Sequence, residues 1–269
     1  MINAKTRLCC IIGNPVGHSL SPQMHNAAYK KLELNFVFVA FRVEEVKRAL
    51  EGFRVLGVCG IVVTVPHKQE VMKYVDEIDE TAQTIGAVNT IVNDGGILKT
   101  TNTDWIGAME ALEEVTAVSG KHAVIIGAGG AARALVYGLK SRGAKVVVVN
   151  RTPQNAEKLY KEFKLDGFGS LDDRDKIRKA DIVINATTVG MEEDISPIPA
   201  DFIDSHHTVF DIVYTPRETR LLRLARERGA KIVYGYKMVL YGGVRQFELF
   251  TGKKAPVEVM EKALNSYVT

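Results

Sequence analysis

No apolar run in this sequence reaches the roughly 18–20 residues needed to span a bilayer. The first residues, Met1–Leu8, also lack the long apolar core of a secretory leader. A cytoplasmic protein with no membrane partner is therefore expected. Cysteine is scarce: Cys9, Cys10 and Cys59 are odd in number and two are adjacent, so they form no disulfide framework. No CxxC pair points to zinc, and no metal is expected. All three lie in strand-like apolar runs and read as small buried hydrophobes. Charge of one sign is lacking too. A formal net charge of +3 without a dense Lys/Arg block leaves no nucleic-acid footprint, although a mildly basic protein does draw small anions towards a cleft. Internal repeats, low-complexity tracts and Gly/Ser linkers are absent as well.

What is present is an ordinary globular composition, 46% hydrophobic and 25% charged, which excludes disordered and fibrous classes. At 269 residues the chain is long for one core and comfortable for two α/β domains. Strand-length apolar runs alternate with amphipathic stretches, the pattern of parallel α/β architecture. Strands are expected near Cys9–Gly13, Phe36–Phe41, Gly60–Val65 and Val88–Val92, with helices near Pro22–Leu32, Val43–Leu56 and Lys68–Asp79. Asn93-Asp94-Gly95-Gly96 predicts a hairpin turn into Ile97–Thr100. A second unit opens near Trp105, and a last helix near Met238–Phe250 is expected to return to the first. The boundaries drawn are 1–104 plus 238–269 for an open α/β substrate domain, and 105–237 for a Rossmann-type dinucleotide domain.

The apolar run Ala123–Ile126 ends in Gly127-Ala128-Gly129-Gly130-Ala131, followed by an amphipathic helix. Glycines let a backbone bend tightly against a pyrophosphate, and the helix start supplies free N–H groups. The third glycine of the fingerprint is replaced by Ala132, a small substitute. A plain strand-to-helix turn is the bland reading. At the end of the next strand, Asn150-Arg151-Thr152 stands where NAD enzymes place an acid. Arg151 suits a 2′-phosphate through its fork and Thr152 through its hydroxyl, which favours NADP(H).

In the first unit, polar residues stand where strands give way to loops. Ser19 and Ser21 precede a helix beginning near Pro22, as a carboxylate cradle or as simple capping. Thr64 and Lys68 close the strand after Val63, and a Lys at a helix start opposes the helix dipole. Asn89 lies in Ala87-Val88-Asn89-Thr90 and Asp104 ends Thr101-Asn102-Thr103-Asp104. Each taken alone also has a structural explanation: a buried amide, an N-cap, a solvated charge.

Together these motifs resemble the shikimate dehydrogenase family over essentially the full chain. The matching segments are Ser19-x-Ser21, Val63-Thr64-x-Pro66-x-Lys68, Ala87–Thr90, Asn102–Asp104, Gly127–Gly130, Asn150–Thr152 and Asn185–Met191, the last carrying Thr187. Asp211-x-x-Tyr214-x-Pro216 and Gly235 match as well. The resemblance implies NADPH-dependent reduction of 3-dehydroshikimate to shikimate, a step of aromatic amino-acid biosynthesis. It implies Lys68 and Asp104 as catalytic residues. Ser19, Ser21, Thr64, Asn89 and Tyr214 would bind substrate. Gly127, Ala128, Gly129, Gly130, Ala131, Asn150, Arg151, Thr152, Thr187 and Gly235 would bind cofactor. Partners are then small molecules, with the protein a monomer or a homodimer.

Two positions depart from the family: Val62 replaces an Asn, and Gly242 replaces a Gln. Arg245 and Gln246 lie about one helical turn after Gly242, and Gln246, the closer chemical match, is expected to reach back towards substrate. Lys237 stands where the family often has Gly. These departures keep three alternatives open: a quinate enzyme using NAD, an aminoshikimate-type dehydrogenase, and a non-catalytic NADP-sensing homologue.

Overall fold

Strand β1 (Arg7–Gly13) carries apolar side chains towards both faces, with Cys9, Cys10, Ile11 and Ile12 all buried. A strand of this kind has to lie inside a sheet covered on both sides. In the computed structural model, which describes residues 2–267, it does. The chain divides into two units, residues 2–103 with 242–267, and residues 104–241.

The first unit continues with α1 (Ser21–Lys31), β2 (Phe36–Arg42), α2 (Val46–Val55), β3 (Gly60–Val63), β4 (Glu77–Ile78), α3 (Glu80–Ile85), β5 (Thr90–Asp94) and β6 (Ile97–Thr101). Its sheet order is β2-β1-β3-β5-β6-β4. β1 pairs in parallel with β2 and β3, whereas β5 runs antiparallel to both β3 and β6. The sheet is thus mixed rather than wholly parallel, because the β5–β6 hairpin turns the chain back at once. Gly95 and Gly96 form that turn at φ of 60° and 97°, and Asn93 Oδ1 accepts the Gly96 N–H at 2.9 Å. Positive φ at both central residues is what a tight hairpin with the native twist requires.

One expected element is absent. Instead of a helix over Lys68–Asp79 there is a single 3₁₀ turn, Glu70–Lys73, followed by β4. Tertiary bonds override the local helical pattern: Asp76 accepts the Leu98 N–H at 2.7 Å and pairs with Arg54 at 2.6 Å, and this draws the chain out beside β6. Helix α3 then starts on Asp79, whose carboxylate accepts the Ala82 N–H at 2.7 Å, and ends on Gly86 at φ 68°.

The second unit contains α4 (Asp104–Glu113), β7 (His122–Ile126), α5 (Gly130–Ser141), β8 (Lys145–Val149), α6 (Pro153–Phe163), β9 (Gly167–Gly169), α7 (Arg174–Arg178), β10 (Ile182–Asn185), β11 (Thr208–Asp211), α8 (Arg220–Glu227) and β12 (Lys231–Tyr234). All pairings are parallel, in the order β12-β11-β10-β7-β8-β9. This is the doubly wound dinucleotide-binding order, with its switch point between β7 and β10. Ile125, Val146, Val148 and Ile184 pack on one face, with Val124, Ile126, Val183 and Val209 on the other. Helix α9 (Gly235–Thr251) follows, and then α10 (Val257–Asn265), which packs on α1. The free cysteines are all buried, with Cys9 Sγ 3.1 Å from Cys59 Sγ. Among the described residues no helix is long and apolar enough to cross a membrane, and no His/Cys/Asp/Glu group is placed to hold a metal ion.

Asp211, fully buried at the end of β11, ties this unit together. Its Oδ1 accepts from Asn185 Nδ2 at 2.9 Å and Val213 N–H at 3.0 Å, and its Oδ2 accepts from the Thr219 hydroxyl at 2.6 Å. Burial nevertheless outweighs these bonds and pushes its carboxyl from 3.8 up to about 7. An acid with a higher pKa folded than unfolded holds its proton more tightly when folded. Its stabilising contribution is complete below 3.8 and is lost as pH rises through about 7. The urea midpoint of the wild type should fall across that window, and Asp211→Asn should flatten the fall. Equal pH slopes for the two proteins would show that Asp211 does not titrate as described.

Candidate functional site

Backbone bonds gather the polar residues of the first unit at one end of its sheet. The Val63 N–H donates to Asn89 O at 2.8 Å, Thr64 N–H to Ile12 O at 2.9 Å, and Val88 N–H to Lys68 O at 2.8 Å. Thr64, Lys68 and Asn89, distant in sequence, are thereby neighbours. Gly13 permits the approach, since a Cβ there would meet Thr64 Cγ2 at 2.5 Å. Lys68 lies in the turn before Glu70, not at a helix start, so the expected clash with a helix dipole does not arise. Val62, where the family has Asn, is buried.

Ser19 and Ser21 are buried just ahead of Pro22. Simple capping does not account for them. The helix begins at Ser21 itself, its N-cap is Leu20, and no side chain caps it. Ser19 Oγ accepts the Ser21 N–H at 3.3 Å, whereas the Ser21 hydroxyl has no hydrogen-bond partner among the described residues.

Asn89 sits just before β5 rather than inside a strand, and it is buried in a dense set of bonds. Its Oδ1 accepts the Thr103 N–H at 2.8 Å, the Thr90 hydroxyl at 2.7 Å and the Thr103 hydroxyl at 3.3 Å. Its Nδ2 donates to Thr103 Oγ1 at 3.1 Å. Sequence reasoning missed the two threonines, although each stands next to a residue it singled out. Asp104 follows Thr103 directly and is the first residue of α4.

Gln246 is buried and belongs to this set, with Nε2 at 3.1 Å from Thr103 Oγ1 and 3.3 Å from Thr90 Oγ1. Arg245 is exposed and pairs with Glu248 at 2.9 Å. A Cβ at Gly242 would lie 3.5 Å from Thr103 O and 3.7 Å from its Oγ1. Positions 242 and 246 thus face the same residue.

In the second unit, the glycine turn leaves β7 at the switch point beside the residues following β10. Gly127 has φ 112°, and a Cβ on it would come within 2.8 Å of Thr187 Cγ2 and 3.1 Å of Ala186 O. Gly129 is the N-cap of α5, with open space where its Cβ would be, and Ala132 is fully buried. Gly130 and Ala131 form the first turn of α5, Ala128 precedes it, and their N–H groups lie at its positive end. Thr187 is oriented by Asn185, whose Oδ1 accepts its hydroxyl at 2.7 Å. Asn150 holds Thr152 O at 2.9 Å. Arg151 is exposed, with no ion pair among the described residues, and Thr152, the N-cap of α6, makes no capping bond. These groups fit a dinucleotide carrying a 2′-phosphate: a cradle, a guanidinium and a hydroxyl not used by the fold.

Tyr214 follows β11, and burial pushes its phenol up to about 12. A Cβ at Gly235 would be 2.5–2.7 Å from the carbonyl oxygens of Val213, Ile212 and Asp211, so glycine there permits α9 to start against the Tyr214 loop. Lys237 pairs with Glu114 at 3.2 Å.

Gly127→Ala should lower the melting temperature, because φ strain and the Thr187 contact each cost about 1–3 kcal/mol, and it should weaken NADPH binding. Gly129→Ala should leave the melting temperature unchanged. Calorimetry on both variants checks this, and equal losses would count against the geometry.

Comparison with known proteins places these features in one family. Residues 11–91 match the shikimate dehydrogenase substrate binding domain, 109–213 the shikimate / quinate 5-dehydrogenase model, and 235–264 the shikimate 5′-dehydrogenase C-terminal domain. The chain is 45% identical over 268 residues to the shikimate dehydrogenase (NADP(+)) of Pyrococcus furiosus, covering 97% of this chain and 96% of that one. A crystal structure of a shikimate dehydrogenase in complex with NADP+ superposes with a TM-score of 0.95 at 44% identity, covering 100% of this chain and 98% of that one. Shikimate 5-dehydrogenase from Thermus thermophilus, in complex with NADP(H) and shikimate, gives 0.91 at 36%, covering 97% and 100%. The chain belongs to the shikimate dehydrogenase family.

Proposed function

We propose that this protein catalyses the reversible NADPH-dependent reduction of 3-dehydroshikimate to shikimate in the cytoplasm, as a step of aromatic amino-acid biosynthesis. The observation that carries this reading is the backbone pairing that brings Thr64, Lys68 and Asn89 together at one sheet end. Residues 1–104 with 238–269 serve substrate and catalysis, and residues 105–237 serve the cofactor. Bound NADPH supplies the hydride. The protein's task is to hold the ketone and to neutralise the charge that develops on its oxygen.

Lys68 does this as a general acid, giving a proton to the developing alkoxide. Asp104 orients the ammonium and the substrate hydroxyl beside it. Ser19 and Ser21 hold the carboxylate, a role supported by the unpartnered Ser21 hydroxyl. Thr64 and Asn89 bind ring hydroxyls, and Tyr214, kept neutral by its raised pKa, offers a phenol donor. In the cofactor site the turn from Gly127 to Ala131 receives the pyrophosphate. Arg151 and Thr152, with Asn150 bracing the loop, take the 2′-phosphate, while Thr187 and Gly235 line the approach of the nicotinamide.

Shikimate with NADP+, followed by absorbance of the reduced nicotinamide, should give turnover, with quinate and NAD+ both slower. Faster turnover of quinate with NAD+ would favour the quinate reading, and no turnover with any pair would favour a non-catalytic one. Lys68→Ala should cut turnover about 10²–10⁴-fold while NADPH affinity stays near that of the wild type. Loss of NADPH binding with turnover intact would refute the assignment of Lys68. Arg151→Ala should weaken NADPH binding roughly tenfold to a hundredfold, the worth of a charge-assisted bond, and leave NADH binding unchanged.

A further inference from the structure

Gln246 lies where no ligand role needs to be assumed for it, because its amide nitrogen is already engaged. Nε2 donates to two hydroxyls, Thr103 Oγ1 at 3.1 Å and Thr90 Oγ1 at 3.3 Å. Its oxygen lies on the other side, towards the imidazole of His25. Burial pushes that imidazole down to about 3, with the Gln246 side chain opposing the shift.

A hydroxyl that accepts from Gln246 has to send its own proton elsewhere. For Thr90 the receiver is Asn89 Oδ1 at 2.7 Å. For Thr103 it is the same atom at 3.3 Å. The Thr103 N–H also ends there, at 2.8 Å. The Asn89 oxygen is thus filled from inside the protein, and the proton directions that fill it are dictated from position 246. Whatever else the Asn89 side chain engages, it engages as an N–H donor.

We infer that Gln246 is a positioning residue: through Thr90 and Thr103 it locks the Asn89 carboxamide with its oxygen inward, so that Asn89 presents only N–H to substrate and recognises an oxygen acceptor. This rests on the function proposed above and sharpens it. Gln246 occupies no substrate subsite of its own, and it acts one turn from Gly242, where a side chain would face the same Thr103. The amide absent at 242 is replaced by one that works from behind the site.

Three variants test this: Gln246→Leu, which removes the donors; Gln246→Glu, which offers acceptors only and turns both hydroxyl protons away from Asn89; and Thr103→Val. For each, and for the Gln246→Leu/Thr103→Val pair, kcat and KM for 3-dehydroshikimate, KM for NADPH and the melting temperature are measured. We expect folded proteins with unchanged KM for NADPH and kcat reduced roughly tenfold in Gln246→Leu, the scale of one lost hydrogen bond. Gln246→Glu should lose more. The double variant should lose much less than the product of the single losses, because both changes disturb one network. A raised KM for 3-dehydroshikimate with kcat intact would make Gln246 a direct ligand and overturn the inference. So would multiplicative losses, or a lower melting temperature with normal kinetics. If Gln246→Leu fails to fold, the comparison of Gln246→Glu with Thr103→Val decides by the same criteria. A wild type inert towards 3-dehydroshikimate would instead remove the functional reading on which the inference stands.

Discussion

Asn89 Oδ1 receives the Thr103 N–H, the Thr90 hydroxyl and the Thr103 hydroxyl within 2.7–3.3 Å, while the backbone carbonyl of the same residue receives the Val63 N–H. One residue therefore joins the end of β3, the start of β5 and the chain leaving β6. The segments carrying Thr64, Lys68 and Asp104 are the immediate continuations of those three joins. A buried amide left without its partners loses about 1–3 kcal/mol per group, which explains why every neighbour of Asn89 is a donor to its oxygen or a hydroxyl. The same requirement reaches α9, where Gln246 completes the set.

The second unit answers a different constraint, the close approach of backbone to backbone. At Gly127 and Gly235 a side chain would collide with carbonyl groups of neighbouring strand ends. At Gly129 it would meet nothing. Two of these glycines are required by the fold, and the third leaves room for something that is not protein. The fully buried Ala132 shows why a small substitute suffices at the third fingerprint position, whose task is to let α5 lie close to the sheet.

Much of this was legible in the residues. The apolar run ending in Gly127, the helix over Gly130–Ser141 and the turn at Gly95-Gly96 depend on local chemistry, and local chemistry is what a sequence displays. The segment after Lys68 was not legible. Its helical pattern is real, but Asp76 bonds to Leu98 and Arg54, partners far away in sequence. Short elements such as β4, β9 and α7 were missed because their pairing, not their pattern, creates them. In the candidate site the motif residues could be picked out, but the work of Thr90 and Thr103 could not. Their hydroxyls matter only because β5, β6 and α9 bring them to one amide. The choice between Arg245 and Gln246 was likewise a question of which side of α9 is buried.

The central claim is that separated segments form a single binding surface, with the Asn89 tie at its centre. Hydrogen–deuterium exchange of the wild type, followed by mass spectrometry with and without saturating shikimate, tests it directly. The account predicts added protection in segments 18–22, 63–68, 88–90 and 101–104 together. Unchanged exchange in all four, or protection confined to other parts of the chain, would contradict it.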